Sequence, residues 1–228
     1  LFKVFFFLGI IIVCLIFLPA LILPQKITLI GGKIMGYWAK YCLRIFLSVK
    51  ITIKGESNII KNEKFFIACS HQSMFETFFL QTIFNSPIFI LKKELLKIPV
   101  FGSYLKKIGS ISINRNKTTK ENLNFFDKIS ETINKSNRPL LIFPQGTRVL
   151  PLERPKFKKG TSRIYETLKI KCQPVAINSG YVWPKNQEMS KNKIITVSIL
   201  EPISPGLSSE DFLNLLEKNI YFELDIIN

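Results

Sequence analysis

The chain has 228 residues, a length that suits one α/β domain with an anchor and is enough to bury a real core. Lys and Arg number 32 against 16 acidic residues, and a formal charge of +16 points to anionic partners: nucleic acid, acidic lipid headgroups or phosphorylated substrates. The four cysteines, Cys14, Cys42, Cys69 and Cys172, form no CxxC pair, which argues against a zinc site or a disulfide framework and fits a reducing compartment.

Mean hydropathy is positive, +0.21, so apolar and basic residues must be segregated along so charged a chain. Residues 4–23, VFFFLGIIIVCLIFLPALIL, hold no charge and no strongly polar side chain. About 20 such residues suffice to cross a bilayer as a helix. A signal peptide would show a shorter apolar region and a small-residue cleavage site. The expectation is a spanning helix, with Pro19 leaving a re-entrant or half-submerged segment as the alternative. Lys3 precedes the run, and Lys26, Lys33, Lys40, Arg44 and Lys50 follow it, which places the remaining chain on the cytoplasmic side of the inner membrane. Residues 33–48 read as an amphipathic helix. Lys33, Lys40 and Arg44 share one face, while Met35, Trp38, Cys42, Ile45 and Phe46 fill much of the rest. Such a helix lies among lipid headgroups or packs on a core. Residues 1–48 are thus expected to form a membrane anchor and interfacial helix, and residues 49–228 an α/β domain.

From residue 50 a βα rhythm sets in. Short apolar runs predict strands over 49–55, 65–70, 88–93, 110–115, 139–144, 174–178 and 194–200. Helical patterns lie between them, over 74–84, 118–136 and 160–170. In the second, Leu123, Phe126, Ile129 and Ile133 recur at helical spacing. Ser208, three residues before Asp211, predicts a capped start to a final helix. Strands alternating with helices imply an α/β fold whose largely parallel central sheet is covered by helices.

The one histidine, His71, must carry any chemistry that needs an imidazole. It sits in FFIACSHQSMFETF, after a strand and at the entrance to a helix, and ligands of open α/β sheets gather at strand carboxyl ends. Glu76 follows five positions later, about 140° around a regular helix, so the pair can meet only if His71 lies in the loop or first turn. A carboxylate on one ring nitrogen would fix the tautomer and leave the other as a base. Taken alone, the pair reads equally well as a satisfied structural histidine. In IFPQGTRV, Gly146 permits a tight turn and presents Thr147 and Arg148 at a strand end, where the planar guanidinium suits a phosphate. GSISINR places Arg115 at another strand end, and Lys92 closes a third. Any one of these cations could be a solvated charge, but together with the lone histidine they favour an anion-binding catalytic site.

These segments resemble the blocks of the 1-acylglycerol-3-phosphate acyltransferase family, within the glycerolipid acyltransferase superfamily. HQSMFE (71–76) is similar to its His-x4-Asp block, GSISINR (109–115) to the second, FPQGTR (143–148) to the third and PVAINSG (174–180) to the fourth. The likeness spans about residues 35–205. Two positions depart from it: Glu76 stands where the family has Asp, and Gln145 where it has Glu. The resemblance implies a fold like that of glycerol-3-phosphate acyltransferase and a role for the chain in phospholipid biosynthesis. An acyl chain would pass from acyl-CoA or acyl carrier protein to the sn-2 hydroxyl of 1-acylglycerol-3-phosphate. It also implies the roles. His71 is the general base and Glu76 its orienting carboxylate. Arg115, Arg148 and Lys92 bind the acceptor phosphate, and Gln145, Gly146 and Thr147 support them. The reaction needs no metal and no cofactor beyond the thioester co-substrate. The expected partners are lysophosphatidate, an acyl thioester, acyl carrier protein as one donor, and an anionic membrane. Another lysolipid acceptor, such as a lyso-ornithine lipid, is the enzymatic alternative. A basic membrane-tethered binding module is the alternative of another class; nucleic acid is not expected, because no recognised nucleic-acid motif is present.

Overall fold

The computed structural model describes residues 1–113 and 124–228. The chain folds into two compact units, each assembled from two stretches: residues 1–42 with 78–140, and residues 43–77 with 141–228.

The first unit opens with helix α1 (Phe2–Ile16). Pro19 has no N–H to donate four residues back, so the α-helical ladder cannot continue through it. The helix gives way at Phe17 to a 3-10 turn over Leu18–Leu21 and restarts as α2 (Gln25–Leu47). Thr28 Oγ1 donates to the Ala20 carbonyl at 3.0 Å and fixes this corner. The spanning helix expected over residues 4–23 is therefore corrected. At about 1.5 Å per residue, α1 reaches roughly 22 Å, short of a hydrocarbon core of about 30 Å. Among the described residues no helix is long and apolar enough to cross a membrane.

One face of α1 is committed to protein instead. Phe2, Phe6, Gly9 and Cys14 are buried. Trp38 Nε1 donates to the Phe6 carbonyl at 3.2 Å, and a Cβ on Gly9 would lie 2.0 Å from that nitrogen, so only glycine allows the approach. The Tyr104 hydroxyl donates to the Cys14 carbonyl at 2.6 Å. In α2 the expected apolar face divides: Met35 and Cys42 join the core, while Ile45 stays exposed. A second stripe, Ile27, Ile30, Ile34, Tyr37 and Tyr41, is exposed at helical spacing. Helix α3 (Phe75–Ile83) enters this unit at residue 78. Strands β3 (Ile88–Lys92) and β4 (Ile111–Ile113) pair in parallel, Ile90 opposite Ile111. Between them a short helix, α4 (Phe101–Lys107), was not foreseen. Helix α5 (Phe125–Asn134) buries Phe125, Ile129 and Ile133, one side of a turn-by-turn repeat. The earlier part of the helix expected over 118–136, with Leu123, lies outside the described residues.

The second unit carries β1 (Lys50–Lys54), β2 (Phe65–Cys69), β6 (Lys171–Ile177) and β7 (Ile194–Ile199). It also takes in the end of β5 (Leu140–Ile142), and its strands lie in the order β1-β7-β6-β2-β5. β1 runs parallel to β7, with Lys50 opposite Ile194, and β2 parallel to β6, with Phe65 opposite Lys171. β6 and β7 are antiparallel within a mostly parallel sheet. Phe66, Ile67, Ala68, Val175, Ala176 and Ile177 have no exposed surface, as strands covered on both faces require. Helix α6 (Lys159–Leu168) and helix α7 (Ser209–Ile227) supply cover. α7 buries Phe212, Leu216, Ile220, Leu224 and Ile227, a stripe three or four residues apart. Tyr165 of α6 stacks on Phe212 with ring centroids 3.8 Å apart. Ser208 caps α7 as expected, its Oγ accepting the Asp211 N–H at 3.1 Å.

Arg138, just before β5, fastens the first unit. Its guanidinium donates to the carbonyls of Ser86, Ile108 and Pro87 at 2.6, 2.8 and 3.3 Å. Burial pulls it down to about 10, so it remains charged at neutral pH. Arg138→Ala strands three carbonyls and is expected to cost about 3 kcal/mol of stability. A urea titration in detergent measures it, and Arg138→Lys, which keeps the charge but not the fork, should fall between the two.

Candidate active site

The site is built where β2 and β6, running in the same direction, end together. Past Cys69 the chain keeps its ladder for one more residue: Ser70 N–H donates to the Val175 carbonyl at 3.0 Å, and Ile177 N–H donates to Ser70 Oγ at 2.9 Å. His71 follows in the loop before α3, the placement the five-residue spacing to Glu76 requires. The loop after β5 grips His71 from both sides. His71 N–H donates to Gln145 Oε1 at 3.2 Å, and Val149 N–H donates to the His71 carbonyl at 2.9 Å. The imidazole lies flat on Phe143, centroids 3.9 Å apart and planes 15° from parallel. Ring and backbone are thus both held by one short stretch of chain.

Glu76 has no exposed surface, yet its carboxylate is well supplied with donors. Oε1 accepts from Gln72 N–H at 2.8 Å, Ser73 N–H at 3.0 Å and the Ser179 hydroxyl at 2.7 Å. Oε2 accepts from the Ser73 hydroxyl at 3.0 Å and shares the Ser73 N–H at 3.1 Å. Ser73 Oγ in turn accepts the Phe75 N–H at 2.8 Å. This is a reciprocal cap: Ser73 covers the helix start while the carboxylate three residues on reaches back to its amide. Burial pushes the Glu76 carboxyl up from its ordinary value, and the hydrogen bonds from Gln72, Ser179 and Ser73 pull against that rise.

The FPQGTR segment turns as expected. Gly146 sits at φ +73°, and its N–H is spent on the Phe143 carbonyl at 2.9 Å, so it is not a donor for a reacting oxyanion. Lys158 N–H donates to the Pro144 carbonyl at 2.9 Å and ties the turn to the entrance of α6. Arg148 is half-buried and Thr147 exposed. Helix α7 secures the stretch that follows. Phe157 N–H donates to Glu217 at 2.8 Å, Lys156 pairs with Glu217 at 2.9 Å, and Arg154 pairs with Asp225 at 2.6 Å. Arg154 also lies over the Tyr221 ring, 5.3 Å from its centroid. Burial and the nearby Glu217 carboxylate push the Tyr221 hydroxyl up to about 12.

Of the residues singled out from sequence, His71, Glu76, Gln145, Gly146, Thr147 and Arg148 share this unit. Lys92 is an exposed residue at the end of β3 in the other unit, and Arg115 lies outside the described residues. Sequence reasoning missed Ser73 and Ser179. The first is legible, because S-x-x-E at 73–76 has capping spacing. The second is not, because it meets Glu76 from 103 residues away.

The acyltransferase family model matches residues 50–178. A 1-acyl-sn-glycerol-3-phosphate acyltransferase of Helicobacter pylori is 32% identical over 160 residues, which cover 69% of this chain and 67% of that protein. The like-named protein of Pseudomonas aeruginosa is 32% identical over 151 residues, 65% of this chain and 58% of its own length. That of Saccharomyces cerevisiae is 31% identical over 194 residues, 81% and 63%. The chain thus spans less than two thirds of these last two relatives. The crystal structure of the 1-acyl-sn-glycerophosphate (LPA) acyltransferase PlsC from Thermotoga maritima superposes with a TM-score of 0.80 at 20% identity, covering 100% of this chain and 96% of that one. At that identity the match speaks for the fold: an α/β architecture with a mostly parallel sheet.

Because the turn at Gly146 needs left-handed backbone, Gly146→Ala is expected to lower stability by about 1–2 kcal/mol. Gly146→Asn should cost less, since a short polar side chain tolerates that conformation. Chemical denaturation monitored by tryptophan fluorescence ranks the three proteins.

Proposed function

Since the chain belongs to the acyltransferase family, we propose that it is a 1-acylglycerol-3-phosphate O-acyltransferase. It moves an acyl chain from a thioester to the free sn-2 hydroxyl of a lysophosphatidate and releases phosphatidate and a thiol. The observation that carries this reading is the tethering of His71. The only imidazole of the chain is pinned by backbone and ring to the same segment that presents Arg148. In the proposed reaction His71 removes the proton as the hydroxyl oxygen attacks the thioester carbonyl. The tetrahedral intermediate collapses, the C–S bond breaks, and the proton passes from the imidazolium to the leaving thiolate. Glu76 orients the ring and stabilises its charged form. Arg148 takes the acceptor phosphate with a planar pair of N–H donors. No acyl-enzyme is required, and the donor is acyl-CoA or acyl carrier protein.

The same reading includes a half-submerged membrane association, which exposed apolar stripes support. On α1, Val4, Leu8, Ile11 and Leu15 are exposed in one stripe, and the exposed stripe of α2 ends in Tyr37 and Tyr41. Lys26, Lys40 and Arg44 are exposed on α2 as well. Apolar stripes edged by tyrosines and cations are what an interfacial helix offers an anionic bilayer. The cytoplasmic face of the inner membrane is the proposed location, where the thioester donors are made and cysteines stay reduced; all four here are buried and unbonded.

Purified protein in detergent, given lysophosphatidate with acyl-CoA or acyl carrier protein, should form phosphatidate detectable by mass spectrometry. His71→Ala should abolish turnover without changing the melt. Arg148→Lys should raise the acceptor KM roughly 10-fold and leave the donor KM unchanged. Preferential acylation of a phosphate-free lysolipid would defeat the lysophosphatidate assignment. For the membrane, the triple substitution Leu8→Glu, Ile11→Glu, Leu15→Glu should preserve the melt and abolish flotation with anionic vesicles.

A further inference from the structure

Ser179 stands just past β6 with no exposed surface, and the family chemistry gives it no task. Its surroundings leave it little freedom. Its carbonyl accepts N–H bonds from Val182 at 3.1 Å and Trp183 at 2.8 Å, and the next residue, Gly180, donates to Gln72 Oε1 at 3.0 Å. What remains is the hydroxyl, which donates to Glu76 Oε1 at 2.7 Å.

The other donors to Glu76, Gln72 and Ser73, all come from its own loop, within four residues of it. They close the helix cap and reach both carboxylate oxygens, but they tie them only to that loop. A donor from a different strand end ties the carboxylate to the sheet as well. We propose that Ser179 is a positioning residue for the acyl transfer, whose hydroxyl locks the orientation of the Glu76 carboxylate and through it the alignment of His71. The inference rests on the reading that Glu76 orients His71, and it adds to the fourth sequence block a defined task. Cys69 on β2 is a titratable group beside this carboxylate, and its thiol feels the charge.

The test is kinetic. Ser179→Ala should lower kcat roughly 10-fold, the loss of one buried hydrogen bond to a charged group, with both KM values little changed. Removing a bond that pulls the Glu76 carboxyl down lets burial raise it further, so the acid limb of kcat against pH should move to higher pH. In a cycle with Glu76→Gln, Ser179→Ala should cost much less on the Gln background. An equal loss on both backgrounds, with Glu76→Gln itself impaired, overturns the role of Ser179 and leaves the dyad standing. A Glu76→Gln enzyme that turns over like wild type overturns both. Should Ser179→Ala fail to melt cooperatively, Ser179→Thr and Ser179→Cys replace it. Higher activity with the hydroxyl than with the thiol supports the proposal, and equal activity of the two defeats it.

Discussion

A carboxylate shut away from water must find its donors inside the protein, or it gives up its charge. Glu76 finds them in two backbone amides and two serine hydroxyls, and the need to bring these together explains much of the local architecture. It fixes where α3 begins, because the same carboxylate closes the cap with Ser73. It requires β2 and β6 to end at the same level, so that Ser179 arrives beside the loop carrying His71. It also requires that loop to be stationary, and the bonds from Gln145 and Val149 to the His71 backbone provide for this.

The Glu-for-Asp departure is intelligible in these terms. A glutamate three residues after a capping serine is the residue that reaches back to the serine amide. One methylene more therefore lets a single side chain close the cap and still approach the histidine loop. The Gln-for-Glu departure is of another kind. Gln145 is 1% exposed and uses its oxygen as an acceptor for His71 N–H. A carboxylate oxygen would accept the same bond, so this contact does not depend on charge. An amide in that place spares the site a second buried anion, whose desolvation would have to be offset by further donors.

Much of this was legible before any coordinates. Runs such as FFIAC and PVAI are apolar throughout because both faces of those strands are covered, and an uninterrupted pattern is hard to mistake. The lone histidine at a strand end, with a carboxylate five positions on, required a loop conformation that the chain adopts. A spanning helix was expected because hydropathy sums over residues without regard to backbone. Residues 4–23 are as apolar as a spanning helix, but Pro19 divides them, and the inner face of α1 is occupied by Trp38 and Tyr104. How the apolar residues of α2 divide between core and surface was not legible for a related reason. Composition separates apolar from charged residues, and cannot separate an apolar face that meets protein from one that meets lipid.

Ser179 marks the boundary of what sequence can supply. Its neighbourhood, PVAINSG, is recognisable as a block, yet nothing in the block says what its serine touches. The partner lies 103 residues away, and the contact exists only because parallel pairing sets Cys69 opposite Val175 and lets both chains leave the sheet together. A one-residue slip in that register would reverse the faces of β6 and carry Ser179 away from Glu76. The register is held by the continuous burial of both strands and by Ser70, which bonds across to β6 at the last rung. Chemistry at the strand ends therefore depends on packing within the sheet. The side chains that keep the register have no part in the reaction, and without them the carboxylate would lose the one donor that its own loop cannot provide.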